Sequence, residues 1–186
     1  MLIAIAIVGG LLLVAAAFVW IIYNRLVGLR QNVDNSFSQI DVALKRRHDL
    51  IPNLVETVRG YANHEAKTLE SVTNARANAM ATNPTDDHGQ SEASLAGSLH
   101  RLLAVAENYP ELKANKNFLE LQSDLADTED QIAITRRVYN DTVETYNTQV
   151  QVFPAVLVAN GFGFDAREFF DAPAEAEVVP QVSYST

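Results

Sequence analysis

The first 23 residues, MLIAIAIVGGLLLVAAAFVWIIY, carry no charge and no strongly polar side chain. As one helix they span roughly 34 Å at about 1.5 Å per residue, enough to cross a bilayer core of about 30 Å. A buried helix of a soluble protein seldom runs this far without a polar face. A cleaved signal peptide wants a basic leading region, a shorter apolar stretch and a small-residue cleavage site. Here the apolar run begins at Leu2 with no Lys or Arg before it, and six more apolar residues follow Ala15-Ala16-Ala17. Residues 1–23 are therefore expected to stay as a transmembrane helix, with the lipid bilayer as the first partner.

The flanks suggest an orientation. Trp20 and Tyr23 stand where an aromatic belt forms, and Arg25 and Arg30 follow closely, so these four are the expected membrane-interface anchors. Basic residues lie only after the helix, which places the C-terminal domain in the cytoplasm and the N-terminus outside, in a single-pass inner-membrane topology. Ala6 and Gly10 form a small-xxx-small pair that lets two helices approach, a weak pointer to a homo-oligomer.

Beyond Tyr23 the apolar residues recur at steps of three and four. One stripe runs Leu26, Leu29, Val33, Phe37, Ile40, Leu44. A second runs Ile51, Val55, Val58, Ala62, Leu69, Val72. A third is Leu95, Leu99, Leu102, Ala106, Tyr109, and a long fourth runs from Phe118 through Ile132 and Tyr146 to Phe153. Such spacing predicts an all-α fold in which amphipathic helices pack as an up-down four-helix bundle over residues 24–153.

Punctuation sets the expected boundaries. Pro52 falls between the first two stripes, and proline inside a helix removes a hydrogen bond at a cost of about 3 kcal/mol. Asp49 offers a cap for a new helix. A turn at 48–52 is expected, with a kinked continuous helix as the alternative. Residues 82–90, TNPTDDHGQ, read as a loop, and Tyr109-Pro110 ends the third helix. Four helices then leave and return twice, which brings the aromatic and acidic tail, residues 154–186, back beside the membrane. Tyr23 and Phe162 should lie close together, with Phe162 and Phe164 as candidate lipid or partner contacts. The chain from Asp171 onward is expected to be mostly flexible.

Charge and chemistry exclude several classes. The net charge of −9 argues against nucleic acid as a partner. From Ala77 onward 17 acidic residues face 6 basic ones, whereas residues 24–76 are slightly basic. With no cysteine there is no disulfide, thiolate metal site or cysteine nucleophile. His64-Glu65 lacks the second histidine of a zinc-hydrolase motif, and no Glu-x-x-His pair occurs. Gly161-Phe162-Gly163 lacks the lysine of a phosphate loop. No catalytic, cofactor or metal site is expected, and the chain does not read as an enzyme. Lys45, Arg46 and Arg47 are candidate lipid or partner contacts, although a helix ending near His48 would explain them as cations offsetting its dipole. His48 itself reads as a hydrogen-bonded structural residue.

The segment YNRLVGLRQNVDNSFSQIDVALKRRHDLIPNLVETVRGYANHE resembles the LemA family of bacterial membrane proteins. The later LADTEDQIAITRRVYNDTVETYNTQVQVFP and the closing FGF and EFFDAP do so too. KRRHDLIPNLVETV is the most specific part. The resemblance implies one N-terminal transmembrane helix and a four-helix bundle, without a catalytic activity. LemA-type genes often neighbour those of membrane-bound zinc peptidases, which suggests a membrane protease as a partner. Two functions follow as expectations: a membrane-anchored structural or interaction protein that self-associates or docks a membrane partner, or a regulator or adaptor of such a peptidase or of an envelope-stress system.

Overall fold

A computed structural model of the chain describes residues 1–62, 64–81 and 88–170. The fold is all-α, and no strand occurs among the described residues. Among the described residues six helices follow in order: α1 Leu2–Arg59, α2 Ala66–Ala81, α3 His88–Ala106, α4 Pro110–Lys113, α5 Lys116–Gln151 and α6 Ala155–Phe162. The chain divides into two compact units. Unit 1 comprises Met1–Ile40 and Ile134–Phe169, and unit 2 comprises Asp41–Ala133 with Phe170. Helices α1 and α5 therefore contribute to both.

Unit 2 is a bundle of four helical segments: residues 41–59 of α1, α2, α3 and residues 116–133 of α5. Short connections join consecutive segments, which makes neighbours antiparallel. Its core runs through Ile51, Leu54 and Val58 of α1, Leu69 and Val72 of α2, and Leu95 and Leu102 of α3. Leu112 of α4 and Phe118 of α5 complete it. Burying a side chain of this size contributes about 1.5–3 kcal/mol. Pro110 opens α4 at a position where a missing N–H costs nothing.

The expected turn at 48–52 is absent. Helix α1 runs through Pro52 and ends at Arg59. The physical reason lies four residues back. Proline has no N–H to donate to the carbonyl at position i−4, here His48. Arg76 of α2 fills the vacancy: its Nε donates to the His48 carbonyl at 2.7 Å. A tertiary hydrogen bond thus replaces the missing helical one. The chain leaves the helix instead after Arg59, where Tyr61 and Ala62 donate back to the Val58 carbonyl. The count of four long segments survives with its first turn displaced.

Other boundaries shift less. His88, Gly89 and Gln90, expected in a loop, already belong to α3, while the rest of that loop and the tail from Asp171 lie outside the described residues. Steps of seven in the α5 stripe are filled by Thr128 and Thr135, both buried. The Thr128 hydroxyl donates to the Asp124 carbonyl at 2.6 Å, which lets a polar side chain sit inside. Phe153, expected to close that stripe, is instead exposed.

Candidate membrane-interface site

Unit 1 joins the apolar N-terminal segment to the returning end of the chain. Residues 2–21 of α1 are exposed wherever their side chains are described. From Leu26 onward one face is buried, at Leu26, Val33, Ser36 and Ile40. Tyr139, Val143, Tyr146 and Val150 of α5 are buried in the same unit, as are Ala155, Val158 and Ala159 of α6. Phe37 and Tyr139 meet edge to face with centroids 5.6 Å apart. Ser36 and Thr142 share a hydroxyl hydrogen bond of 2.8 Å.

Helix α6 follows Pro154, and its apolar residues Ala155, Val158 and Ala159, at steps of three and four, give it a face that is buried. It stops because Gly163 takes the left-handed conformation, φ 72°, where a Cβ is strained. Both Gly163 and Phe164 then donate their N–H to the Ala159 carbonyl. The reversal turns Phe164 inward, where it is buried.

The aromatic residues converge at the end of the apolar segment. Tyr23 lies edge-on to Phe162 at 5.1 Å and to Phe164 at 5.5 Å between centroids. The Arg30 guanidinium stands over the Phe164 ring at 5.1 Å, a cation–π contact. The tail thus returns to Tyr23, as the helix parity predicts, although the turn that preserves the parity is not the one expected. Trp20, Phe162, Leu157 and Phe153 remain exposed, and Arg25, five residues after Trp20, is exposed on α1. A groove of about 340 Å³ opens between Ala16, Val19, Trp20, Tyr23 and Asn24 on one side and Phe162 on the other.

Polar contacts pin the segment after α6. The Asn147 amide donates to the Arg167 carbonyl and accepts from the Arg167 N–H, both at 2.8 Å. The Arg167 guanidinium reaches Asp34 at 3.1 Å, and the Tyr139 hydroxyl donates to the Glu168 carbonyl at 3.0 Å. Burial pushes the Tyr139 and Tyr146 phenols above their ordinary pKa of 10.0, against the opposing pull of Arg167. Both therefore stay neutral across the physiological range, and Tyr139 keeps the proton it donates to the Glu168 carbonyl.

The basic cluster separates into two kinds. Lys45 and Arg46 are exposed on α1. Arg47 is buried in unit 2 and is no surface contact. Its guanidinium bridges Glu92 at 3.5 Å and Glu129 at 2.8 Å. His48 Nε2 bonds the other Glu92 oxygen at 2.8 Å, so the structural role expected of this histidine holds. Helix α1 continues past these cations, so they do not offset a helix C-terminus. Sequence reasoning missed Glu92 altogether. The signal was its phase: Glu92, Leu95, Leu99, Leu102 and Ala106 keep one core-facing step pattern, as do Ile40, Leu44, Arg47, Ile51 and Leu54. Two opposite charges on matching core phases announce a buried pair.

The model of the LemA family matches residues 36–184, which begins beyond the apolar segment. The chain is 30% identical over 141 residues to Protein LemA of Metamycoplasma hominis, covering 73% of this chain and 63% of that protein. It is 23% identical over 174 residues to magnetosome protein MamQ 2 of Paramagnetospirillum magneticum, covering 80% and 64%. It is also 23% identical to magnetosome protein MamQ of Magnetospirillum gryphiswaldense, covering 86% and 70%. The chain spans less than two thirds of the length of the first two relatives. With an apolar N-terminal helix of spanning length and a matched helical domain, it is a membrane-associated protein that belongs to the LemA family.

Proposed function

We propose that the protein is a membrane-anchored structural and interaction module that self-associates, with its helical units on the cytoplasmic side of the inner membrane. The observation that supports this reading is the meeting of two uncharged apolar segments, residues 1–23 and 152–164, at Tyr23 and Phe162. The first crosses the bilayer, and α6 rests at the headgroup boundary with Leu157 and Phe162 outward. Unit 1 is thereby seated on the membrane at two points rather than tethered at one. The buried polar cluster of Arg47, His48 and Glu92 is enclosed from substrate and supports the fold. Lys45 and Arg46 remain on the surface for a partner or an anionic lipid.

Crosslinking in native membranes followed by affinity purification and mass spectrometry tests this. Recovery of a multiple of the 20.4 kDa chain alone is the expected result. Stoichiometric recovery of a membrane metallopeptidase would replace self-association with an adaptor role. Recovery in the soluble fraction would refute the anchored reading.

A further inference from the structure

Helix α6 lies level with the end of the apolar segment of α1. Within unit 1, Ser36 of α1 bonds Thr142 of α5 and Phe37 meets Tyr139, so the two helices run antiparallel in a fixed register. Eleven residues on from Thr142 the chain reaches Phe153, and eleven back from Ser36 it reaches Arg25. Helical bonding continues to Val152, whose N–H donates to the Thr148 carbonyl at 3.1 Å, so the register holds to that point. The start of α6 is therefore level with residues 23–25. Its other end is at the same height, because Phe162 meets the Tyr23 ring at 5.1 Å. With both ends level, α6 runs across the axis of α1 as a rod of about 12 Å.

The face that α6 turns to unit 1 is Ala155, Val158 and Ala159, all buried. Leu157 stands about 200° around the helix from Ala155 and from Ala159 and is exposed, as are Phe153 and Phe162 at the two ends. These three side chains continue the exposed apolar surface of residues 2–21 at the level where that segment ends. An uncharged helix of spanning length is solvated by lipid, so the partner that fits the face of α6 is the adjoining bilayer surface. Charge is missing from this contact. No charged residue stands between Glu144 and Asp165, and the first one after α6, Asp165, is acidic. Interfacial helices hold to a membrane through buried apolar area and through attraction of cations to anionic lipid. Helix α6 has only the first. Its bulky side chains enter a leaflet where gaps between headgroups admit them, and no ionic attraction offsets tight packing.

We propose that α6 senses lipid packing: Leu157, Phe153 and Phe162 insert into a loosely packed leaflet and stay at the surface of a tightly packed one, whatever the headgroup charge. The proposal deepens the anchored reading above and rests on it.

The chain has no cysteine, so Asn160→Cys, at an exposed position of α6, carries a single environment-sensitive fluorophore. The labelled full-length protein is reconstituted in fluid vesicles of three kinds. The first is phosphatidylcholine with two unsaturated chains, the second is phosphatidylcholine with one chain saturated, and the third is the second with part of the lipid replaced by phosphatidylglycerol of the same chains. Emission should be blue-shifted in the first and water-like in the other two. Leu157→Ser should lower the ratio of inserted to uninserted probe in the first by about tenfold, the equivalent of burying one leucine side chain, with helix content unchanged by circular dichroism. An unchanged ratio in Leu157→Ser would assign the shift to the fluorophore and overturn the proposal. Equal insertion in all three lipids would also overturn it, and leave α6 resting at the interface regardless of packing. Insertion restored by phosphatidylglycerol would show attraction to charge and overturn it too. Water-like emission throughout, from protein that floats with its vesicles, would overturn the proposal and leave the anchor standing. Protein that does not float would overturn the anchored reading, and the proposal with it.

Discussion

Replacing Arg76 by methionine tests how α1 passes through Pro52. Methionine keeps most of the stem and removes only the donor to the His48 carbonyl. A hydrogen bond from a charged donor contributes about 1.5–3 kcal/mol, and a buried acceptor left bare carries its full desolvation cost. Arg76 is half-buried, which places the expected loss at about 1.5–2 kcal/mol. For a chain of this size each 1 kcal/mol moves Tm by about 2–4 °C, so Arg76→Met should lower it by about 3–8 °C. Pro52 is exposed, so Pro52→Ala changes little but the backbone. It restores an amide four residues after His48 and should stabilise α1 by up to about 3 kcal/mol. In the Pro52→Ala background the His48 carbonyl has its helical donor again, and Arg76→Met should cost about 1–2 kcal/mol less than it does alone. The four proteins are melted in detergent and followed by circular dichroism at the helix minimum. Packing losses from methionine are common to both backgrounds and cancel in the cycle. If Arg76→Met costs the same in both, within about 0.5 kcal/mol, the guanidinium does not stand in for the missing amide and the explanation is wrong.

Glu92→Leu removes the buried anion between Arg47 and His48 and should destabilise by about 3 kcal/mol or more, whereas Glu129→Gln, at an exposed partner, should cost under about 1 kcal/mol; chemical denaturation of the two variants compares them. The raised phenols of Tyr139 and Tyr146 contribute stability that is complete below the unfolded pKa of 10.0 and falls as pH rises towards their higher folded values. Tyr139→Phe should accordingly flatten the alkaline loss of Tm measured from pH 9 upward. A reporter active only in the periplasm, fused after Thr186, should remain silent in intact cells, and activity there would reverse the proposed orientation.

Much of this architecture is written in local patterns. The uncharged first 23 residues announce the anchor, and the three-four stripes of α1, α3 and α5 lie on faces that are buried. The failure at Pro52 is instructive because its local chemistry was judged correctly. The proline does remove the His48 hydrogen bond, but the compensating donor comes from 28 residues further on, and periodicity has no term for that. Gly60, directly after the last helical turn and Arg59, was the better stop signal. The meeting of Tyr23 and Phe162 was legible from helix parity. Phe164 and Arg30 were not legible as a pair, because the left-handed turn at Gly163 decides that Phe164 points inward.

Unit 1 is built from opposite ends of the chain, and this dictates an order of assembly. Its closing contact, between Asp34 and Arg167, joins residues 133 positions apart, and contacts this distant form late because a long loop must close first. Unit 2 draws almost all its core from residues 41–133 and is complete in synthesis while the partners of Leu26, Val33 and Ile40 have yet to be made. A nascent chain therefore makes its apolar helix first, folds its middle next, and exposes one apolar face of α1 until α5 and α6 emerge. During that interval the stretch from Leu26 to Ile40 is the part of the protein open to chaperones, to proteases and to premature pairing with another copy.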